Sequence, residues 1–343
     1  MFLRCFGHTN SFDSGRGYPT VIEELCRPIS LSDLKKATDN FHPDRIIHRG
    51  YRKTVYKGYL PQNDSSDYAV AVKLTEVEKW EEFKTEIEML CQLRHPNIIS
   101  LVGFCDHKEY KIIVQEHMSN GCLLRHLQGG ELSWKKRLEI CIGAARGLHY
   151  LHAGAKRTII HRHIRSSNIV LDENMHPKLT NFGPSVLGAR FMSKPKPVQV
   201  EYVRGPKGYA APEYLRDVTV TDKCDVFSFG MVLLEIVWEK KNFCLAKERQ
   251  YMEKFIEENI DRNIKGKIAP KCWQVFMDIT ERCIQFEPDK RPAMGEVEVE
   301  LEYALWLQEQ ADISNTDGDY ILLKPLLTKT QREDIMKAIV LAA

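Results

Sequence analysis

Apolar positions change their period along this chain, and the changes mark its elements. Residues 1–27 mix Gly, Ser, Asn and Arg without periodicity and predict a mobile tail. Between Ser30 and Phe41 the apolar residues Leu31, Leu34, Ala37 and Phe41 have helical spacing, and Ser30 with Asp33 forms a capping box. From Ile46 to about Met118 the pattern is that of strands, at Ile46–Ile47, Val55–Leu60, Tyr68–Leu74, Leu101–Phe104 and Lys111–Gln115. One helix interrupts them, with Phe83, Ile87, Leu90 and Leu93 on a single face. After Asn120-Gly121 the chain turns helical, with a long amphipathic stretch from Trp134 to His152. The stretch Thr221–Lys240 is apolar nearly all round and predicts a buried helix. Further helices are expected between Phe255 and Glu309, and Thr330 with Glu333 caps a C-terminal helix carrying Ile335, Ala338, Ile339 and Ala342. The expected layout is a tail over 1–29, a folded unit over 30–310 and a second tail over 311–343.

Composition narrows the class. A chain of 343 residues can bury a sizeable core, and 49 Lys+Arg against 47 Asp+Glu leaves a formal charge of +2. Nothing in that balance points to a nucleic-acid partner. The ten cysteines are scattered without a C-x-x-C pair, which argues against zinc or a disulfide framework and fits a reducing cytosol. No apolar run is long enough to span a bilayer and no signal peptide is evident, so a cytoplasmic location is expected. Position 2 is Phe2, which excludes myristoylation. Cys5 is a palmitoylation candidate that would give peripheral attachment to the plasma membrane.

The candidate chemistry centres on Ile160-His161-Arg162-His163-Ile164-Arg165-Ser166-Ser167-Asn168-Ile169-Val170-Leu171, followed by Asn181-Phe182-Gly183. The first has the frame of a protein-kinase catalytic loop, H-R-D-L-K-x-x-N, and the second that of Asp-Phe-Gly. More of the chain carries the same resemblance. It includes Val55-Tyr56-Lys57-Gly58, the run His95–Cys105, Ala144–His152, Thr221–Gly230, Ile264–Pro270, Asp289-Lys290-Arg291-Pro292 and Leu301–Glu309. Over roughly 30–310 the chain resembles plant receptor-like kinases of the Pelle type, most closely the malectin-like receptor (FERONIA-like) branch and its cytoplasmic relatives.

That resemblance implies an α+β, two-lobed protein-kinase fold, with a small five-stranded lobe over about 41–118 and a mainly helical lobe over about 119–310. It places Gly50, Val55, Ala71, Lys73, Glu86, Gln115, Glu116, Met118 and Val170 around a nucleotide, with Lys73 and Glu86 as an ion pair. Leu90, Leu101, Phe182 and His161 match a stacked apolar column anchored by Asp225, and Glu213 of Ala211-Pro212-Glu213 matches a salt bridge to Arg291. Gln115 takes the gatekeeper position and leaves the back of the pocket polar.

The same comparison exposes losses. His163 replaces the catalytic Asp, Arg165 replaces the Lys that steadies the transferring phosphate, and Asn181 replaces the metal-binding Asp, while Asn168 is retained. In the Gly-rich loop His48 and Lys53 replace two of three glycines, although a Lys there retains a charge for phosphate. Pro206 replaces a hydroxyl residue and removes a backbone N–H. ATP binding is then weak, and Mg²⁺ lacks the carboxylate it prefers. Arg162 remains to pair a phosphorylated activation segment, for which Ser185, Ser193 and Tyr202 are the acceptors. The stretch between Val237 and Ile260 is shorter than in the family.

Sites serving the reaction have changed and sites holding the fold have not. The expectation is a catalytically impaired cytoplasmic pseudokinase, acting as adaptor, decoy or scaffold for active receptor-like or cytoplasmic kinases or immune receptors. The alternative is a working Ser/Thr kinase with unusual catalytic residues.

Overall fold

The computed structural model describes residues 26–50, 52–62, 65–76, 79–130, 132–188, 196–205, 207–238, 260–315, 320 and 337. The first helix, α1 (Leu31–Ala37), begins where the capping box placed it, with Ser30 Oγ accepting from Asp33 N at 3.1 Å. Its buried Leu34 and Ala37 pack with Leu60, Val70, Val72, Ile112 and Val114 on one face of a sheet. That sheet is antiparallel, in the order β1 (Ile46–Gly50), β2 (Lys53–Gln62), β3 (Ser65–Thr75), β5 (Lys111–Glu116), β4 (Leu101–Asp106). On the other face lies α2 (Trp80–Leu90), which buries Phe83 and Ile87 against Phe104 and Ile113.

The N-terminal tail is shorter than the sequence suggested. Residues 26–29 lie along β4, with Ile29 N–H donating to Phe104 O at 2.8 Å and Phe104 N–H to Arg27 O at 3.1 Å. Cys26 and Ile29 are buried, and a Cβ on Gly103 would stand 2.5 Å from Arg27 O, so the close approach depends on that glycine.

The helical lobe is built on α3 (Leu123–Gly129), α4 (Trp134–His149), α5 (Pro212–Asp217), α6 (Asp222–Glu235), α7 (Pro270–Cys283) and α8 (Met294–Ser314). The apolar α6 is buried along nearly its whole length. The stretch expected to stay α-helical to His152 instead widens into a π turn at Tyr150–Gly154, closed by Ala155 N–H to Tyr150 O at 2.8 Å. Helix α8 runs to Ser314, beyond the expected boundary near 310. It buries Val297, Leu301 and Ala304 and exposes Val299, Tyr303 and Trp306 on the opposite side. Tyr320 then returns to the lobe, its N–H donating to Gly266 O at 2.6 Å and its hydroxyl to Asp312 at 2.9 Å. Trp238 and Ile260 form a β-bridge at the two ends of the short 239–259 stretch, which lies outside the described residues. So does the expected C-terminal helix, Lys337 excepted.

The pair Glu213–Arg291 is bidentate at 2.6 and 2.8 Å, and Arg291 also donates to Gln285 O, Lys223 O and Phe286 O. One buried guanidinium thus ties α5, α6 and the loop before α8. Removing one partner of such a pair leaves a buried charge uncompensated, at about 3–5 kcal/mol. Arg291→Met is expected to lower the urea unfolding free energy by that amount. A loss under ~1 kcal/mol, the scale of an exposed ion pair, would show the pair to be peripheral.

Candidate active-site cleft

Between the lobes lies a cavity of about 660 Å³. Val55 and Ala71 line it from the sheet, Val170 from the helical lobe, and Gln115, Glu116, His117 and Met118 from the connecting strand end. Lys73, on β3, reaches Glu86 Oε2 of α2 at 2.5 Å, both residues being buried. Gln115 closes the pair from behind, its Nε2 donating to Glu86 Oε1 at 3.1 Å, so the polar gatekeeper has a partner. The Glu116 side chain is committed elsewhere, accepting from Ser100 N at 2.7 Å and from Lys178 Nζ at 2.9 Å. The expected column is present. Leu90 and Phe182 are fully buried, Leu101 packs against the same core, and the His161 and Phe182 rings meet edge to face at 4.8 Å.

The loop carrying His163 hangs from Asp225. The buried carboxylate accepts from His161 N at 2.7 Å and Arg162 N at 2.8 Å, and His152 Nε2 reaches it at 3.0 Å. His152 was not singled out in the sequence, where it reads as one more residue of an amphipathic helix. The π turn carries it, and a period of 3.6 gives no sign of that widening.

His163 and Asn181, the two altered chemical positions, bind each other. Lys73 Nζ lies 3.5 Å from Asn181 Oδ1, and an ammonium selects the amide oxygen over the amide nitrogen. The Asn181 NH₂ then donates to His163 Nδ1 at 2.8 Å. A neutral imidazole that accepts at Nδ1 carries its proton on Nε2. The remaining ring nitrogen is therefore a donor with no lone pair for a substrate hydroxyl proton. Burial, with His161, Lys53, Arg165 and Lys73 nearby, pushes the His163 imidazole down to about 3, so it stays neutral at physiological pH. Asn168 supports the arrangement, its Nδ2 donating to His163 O at 2.8 Å.

The donor set does not suit Mg²⁺. Asn181 turns its one oxygen toward an ammonium, Asn168 is neutral, and no carboxylate stands at either position. Among the described residues no group of three His, Cys, Asp or Glu side chains is placed to hold a metal ion. Arg165, in the phosphate-steadying position, lies over the Tyr209 ring at 5.8 Å, and its buried Nε has no partner.

Gly50 and Lys53 pair across the β1–β2 hairpin. A Cβ on Gly50 would stand 3.1 Å from Lys53 Cε and 3.3 Å from His48 Nε2, so the retained glycine leaves room for both side chains to fold beneath it. The cavity lining includes His48, Lys53 and Lys73 together.

Two expectations for the activation segment are corrected. Ser185 is buried and its hydroxyl donates to His161 O at 3.3 Å, so in this conformation it cannot serve as a phosphate acceptor. Four of the five N–H donors of Arg162 are already engaged, with Tyr214 Oη at 2.6 and 3.2 Å, Pro184 O at 2.9 Å and Tyr202 O at 3.0 Å. Tyr202 is exposed, with the Arg204 guanidinium 4.3 Å over its ring. Arg204 also pairs with Glu82 of α2, a tie between segment and small lobe that the sequence did not signal. Ser193 and Pro206 lie outside the described residues.

Comparison with known proteins agrees with this geometry. Residues 41–301 match the protein tyrosine and serine/threonine kinase family. Among curated Arabidopsis thaliana proteins, the chain is 42% identical over 317 residues to the receptor-like protein kinase ANXUR2, covering 88% of this chain and 36% of that protein. It is 39% identical over 334 residues to the receptor-like protein kinase FERONIA, covering 90% and 36%. To the receptor-like protein kinase THESEUS 1 it is 40% identical over 300 residues, covering 83% and 34%. The chain thus spans about a third of the length of these relatives. No helix among the described residues is long and apolar enough to cross a membrane. With the sheet, the lobes and the Lys73–Glu86 pair in place, the chain belongs to the protein tyrosine and serine/threonine kinase family, and its matched relatives are receptor-like kinases.

Proposed function

We propose that this chain is a receptor-like cytoplasmic pseudokinase, working by protein–protein contact with active receptor-like or cytoplasmic kinases or with immune receptors. The observation that carries the reading is the hydrogen bond from Asn181 to His163 Nδ1. It joins the position of the catalytic base to that of the metal carboxylate and leaves neither free for its reaction. The elements that hold a kinase closed, Lys73 with Glu86, the His161–Phe182 contact and Glu213 with Arg291, are all formed, which supports a role for the surface of the closed state. The exposed Tyr202 gives an active kinase an acceptor on that surface.

Phosphoryl transfer is expected to be absent or at trace level. Loss of a base costs about 10²–10⁴-fold and loss of a charge-stabilising group about 10²–10³-fold. Incubation with labelled ATP and a generic substrate should give no label above that of Lys73→Met. Robust label that vanishes in Lys73→Met would return the chain to the working kinases. In the biological assay, an adaptor tolerates Lys73→Met and fails with Glu213→Lys, which breaks the buried pair under the activation segment. If Lys73→Met alone abolishes function while fold and partner binding persist, the adaptor reading is lost.

The half-buried, desolvated imidazole also predicts a pH dependence of stability. His163 is pushed down to about 3 in the folded chain, against about 6.5 when unfolded, so between those values the unfolded state binds the extra proton. Its contribution is complete above about pH 6.5 and is lost as pH falls through that value toward 3. Urea midpoints should decline from neutral pH toward pH ~5, and His163→Gln should flatten the slope. An unchanged slope in the variant would mean that His163 is not held neutral.

A further inference from the structure

The cleft contains more positive charge than its own carboxylates neutralise. Glu86 is taken by Lys73 and Gln115, and Glu116 by Lys178 and the Ser100 N–H. Lys53 and Arg125 both line the cavity, and among the described residues neither side chain makes a hydrogen bond or ion pair. The buried Arg165 Nε, close enough to act electrostatically on Lys53, also lacks a hydrogen-bond partner, its guanidinium lying over the Tyr209 ring. Gathering like charges in a concave, partly desolvated site is unfavourable unless an anion completes it.

We propose that this cleft binds a nucleoside triphosphate without a divalent cation, with the Lys53 ammonium supplying the charge that a metal ion would otherwise bring. Three observations lead there. The donor set rejects Mg²⁺, because Asn181 Oδ1 faces Lys73 and no carboxylate replaces it. Lys53 folds back under Gly50 toward Lys73 instead of extending from the hairpin into water. The same cavity is also lined by the apolar Val55, Ala71, Met118 and Val170, side chains from both lobes that suit a flat heterocycle, so the anion is attached to a base.

The electrostatics of Lys53 agree with this placement. Burial first, and then the charges of Lys73 and Arg165, push its ammonium down to about 7, a group that a neighbouring anion would hold fully charged. A metal-free triphosphate carries more negative charge than its magnesium complex, and phosphate oxygens match Lys and Arg donors well. The proposal goes beyond the pseudokinase reading and concerns binding alone. A chain that binds ATP in this way and transfers no phosphate satisfies both, and each fails in its own assay.

The test is titration calorimetry on the full chain with ATP, adenosine and inorganic tripolyphosphate, in EDTA and in excess Mg²⁺. ATP is expected to bind in EDTA, more tightly than adenosine or tripolyphosphate, and Mg²⁺ should leave the affinity unchanged or weaken it. Lys53→Met should weaken ATP binding in EDTA about tenfold or more, the scale of one charge-assisted contact. Adenosine affinity, which reports the base slot and the fold, should be retained in that variant, and Lys53→Arg should restore ATP binding. Binding that requires Mg²⁺, or the absence of ATP binding in EDTA, overturns the proposal on the unaltered chain without any variant. ATP no tighter than adenosine removes the phosphate recognition, and tripolyphosphate equal to ATP removes the nucleoside. An Lys53→Met variant that binds adenosine and ATP like the original chain removes the role of Lys53.

Discussion

The carboxylate of Asp225 holds the site together. Buried at the start of α6, it accepts the N–H groups of His161 and Arg162 and meets His152. Charge-assisted hydrogen bonds of this kind are short and directional, and a buried carboxylate without them would be costly. The bonds fix the bend at Arg162, whose φ of 63° a non-glycine residue adopts only under constraint. From that bend the chain presents His161 to Phe182, and Phe182 carries Asn181 to within hydrogen-bond reach of His163. Geometry that positions an acid for catalysis in a working kinase here positions an imidazole against an amide.

The consequence is a cleft with a changed charge balance and an unchanged frame. An aspartate at position 181 would present negative charge beside Lys73. Asn181 presents a dipole, with its oxygen toward Lys73 and its NH₂ toward the imidazole. The low pKa values of His163 and Lys53 come from burial first and then from neighbouring cations, which push both groups the same way, while Glu86 partly offsets the effect on Lys53. The Lys73–Glu86 pair withstands this environment because Gln115 holds the second carboxylate oxygen. A polar gatekeeper therefore helps to hold α2 on the sheet as well as shaping the back of the pocket.

Much of this was legible in the chain itself. The capping box at Ser30, the period-two runs of the sheet and the all-round apolar run of α6 are local signals, because capping and amphipathicity act over a few residues. The replaced letters at 163, 165 and 181 were equally plain, as was a charged residue at Lys53 in a loop that favours glycine. The boundaries were less so. Residues 26–29 carry no pattern of their own and are held by β4 through backbone bonds that depend on Gly103. The phosphate acceptor expected at Ser185 failed because burial is a property of the surrounding fold, and nothing in Phe-Gly-Pro-Ser-Val announces it.

The sequence by itself determined the kinase-family architecture, the surviving Lys73–Glu86 and Glu213–Arg291 pairs, and the absence of carboxylates at two chemical positions. Each of these depends on residue identity at a spacing. Only the tertiary structure decided what the replacements do. That His163 and Asn181 bond to each other, that Lys73 selects the amide orientation and thereby the histidine tautomer, and that Lys53 turns inward under Gly50 depend on side chains brought together from β2, β3 and two loops. Hydrogen-bond direction and electrostatic coupling fall off over a few ångströms. Residues as far apart in the chain as Lys73 and Asn181, or Lys53 and His163, enter that range only through the tertiary fold.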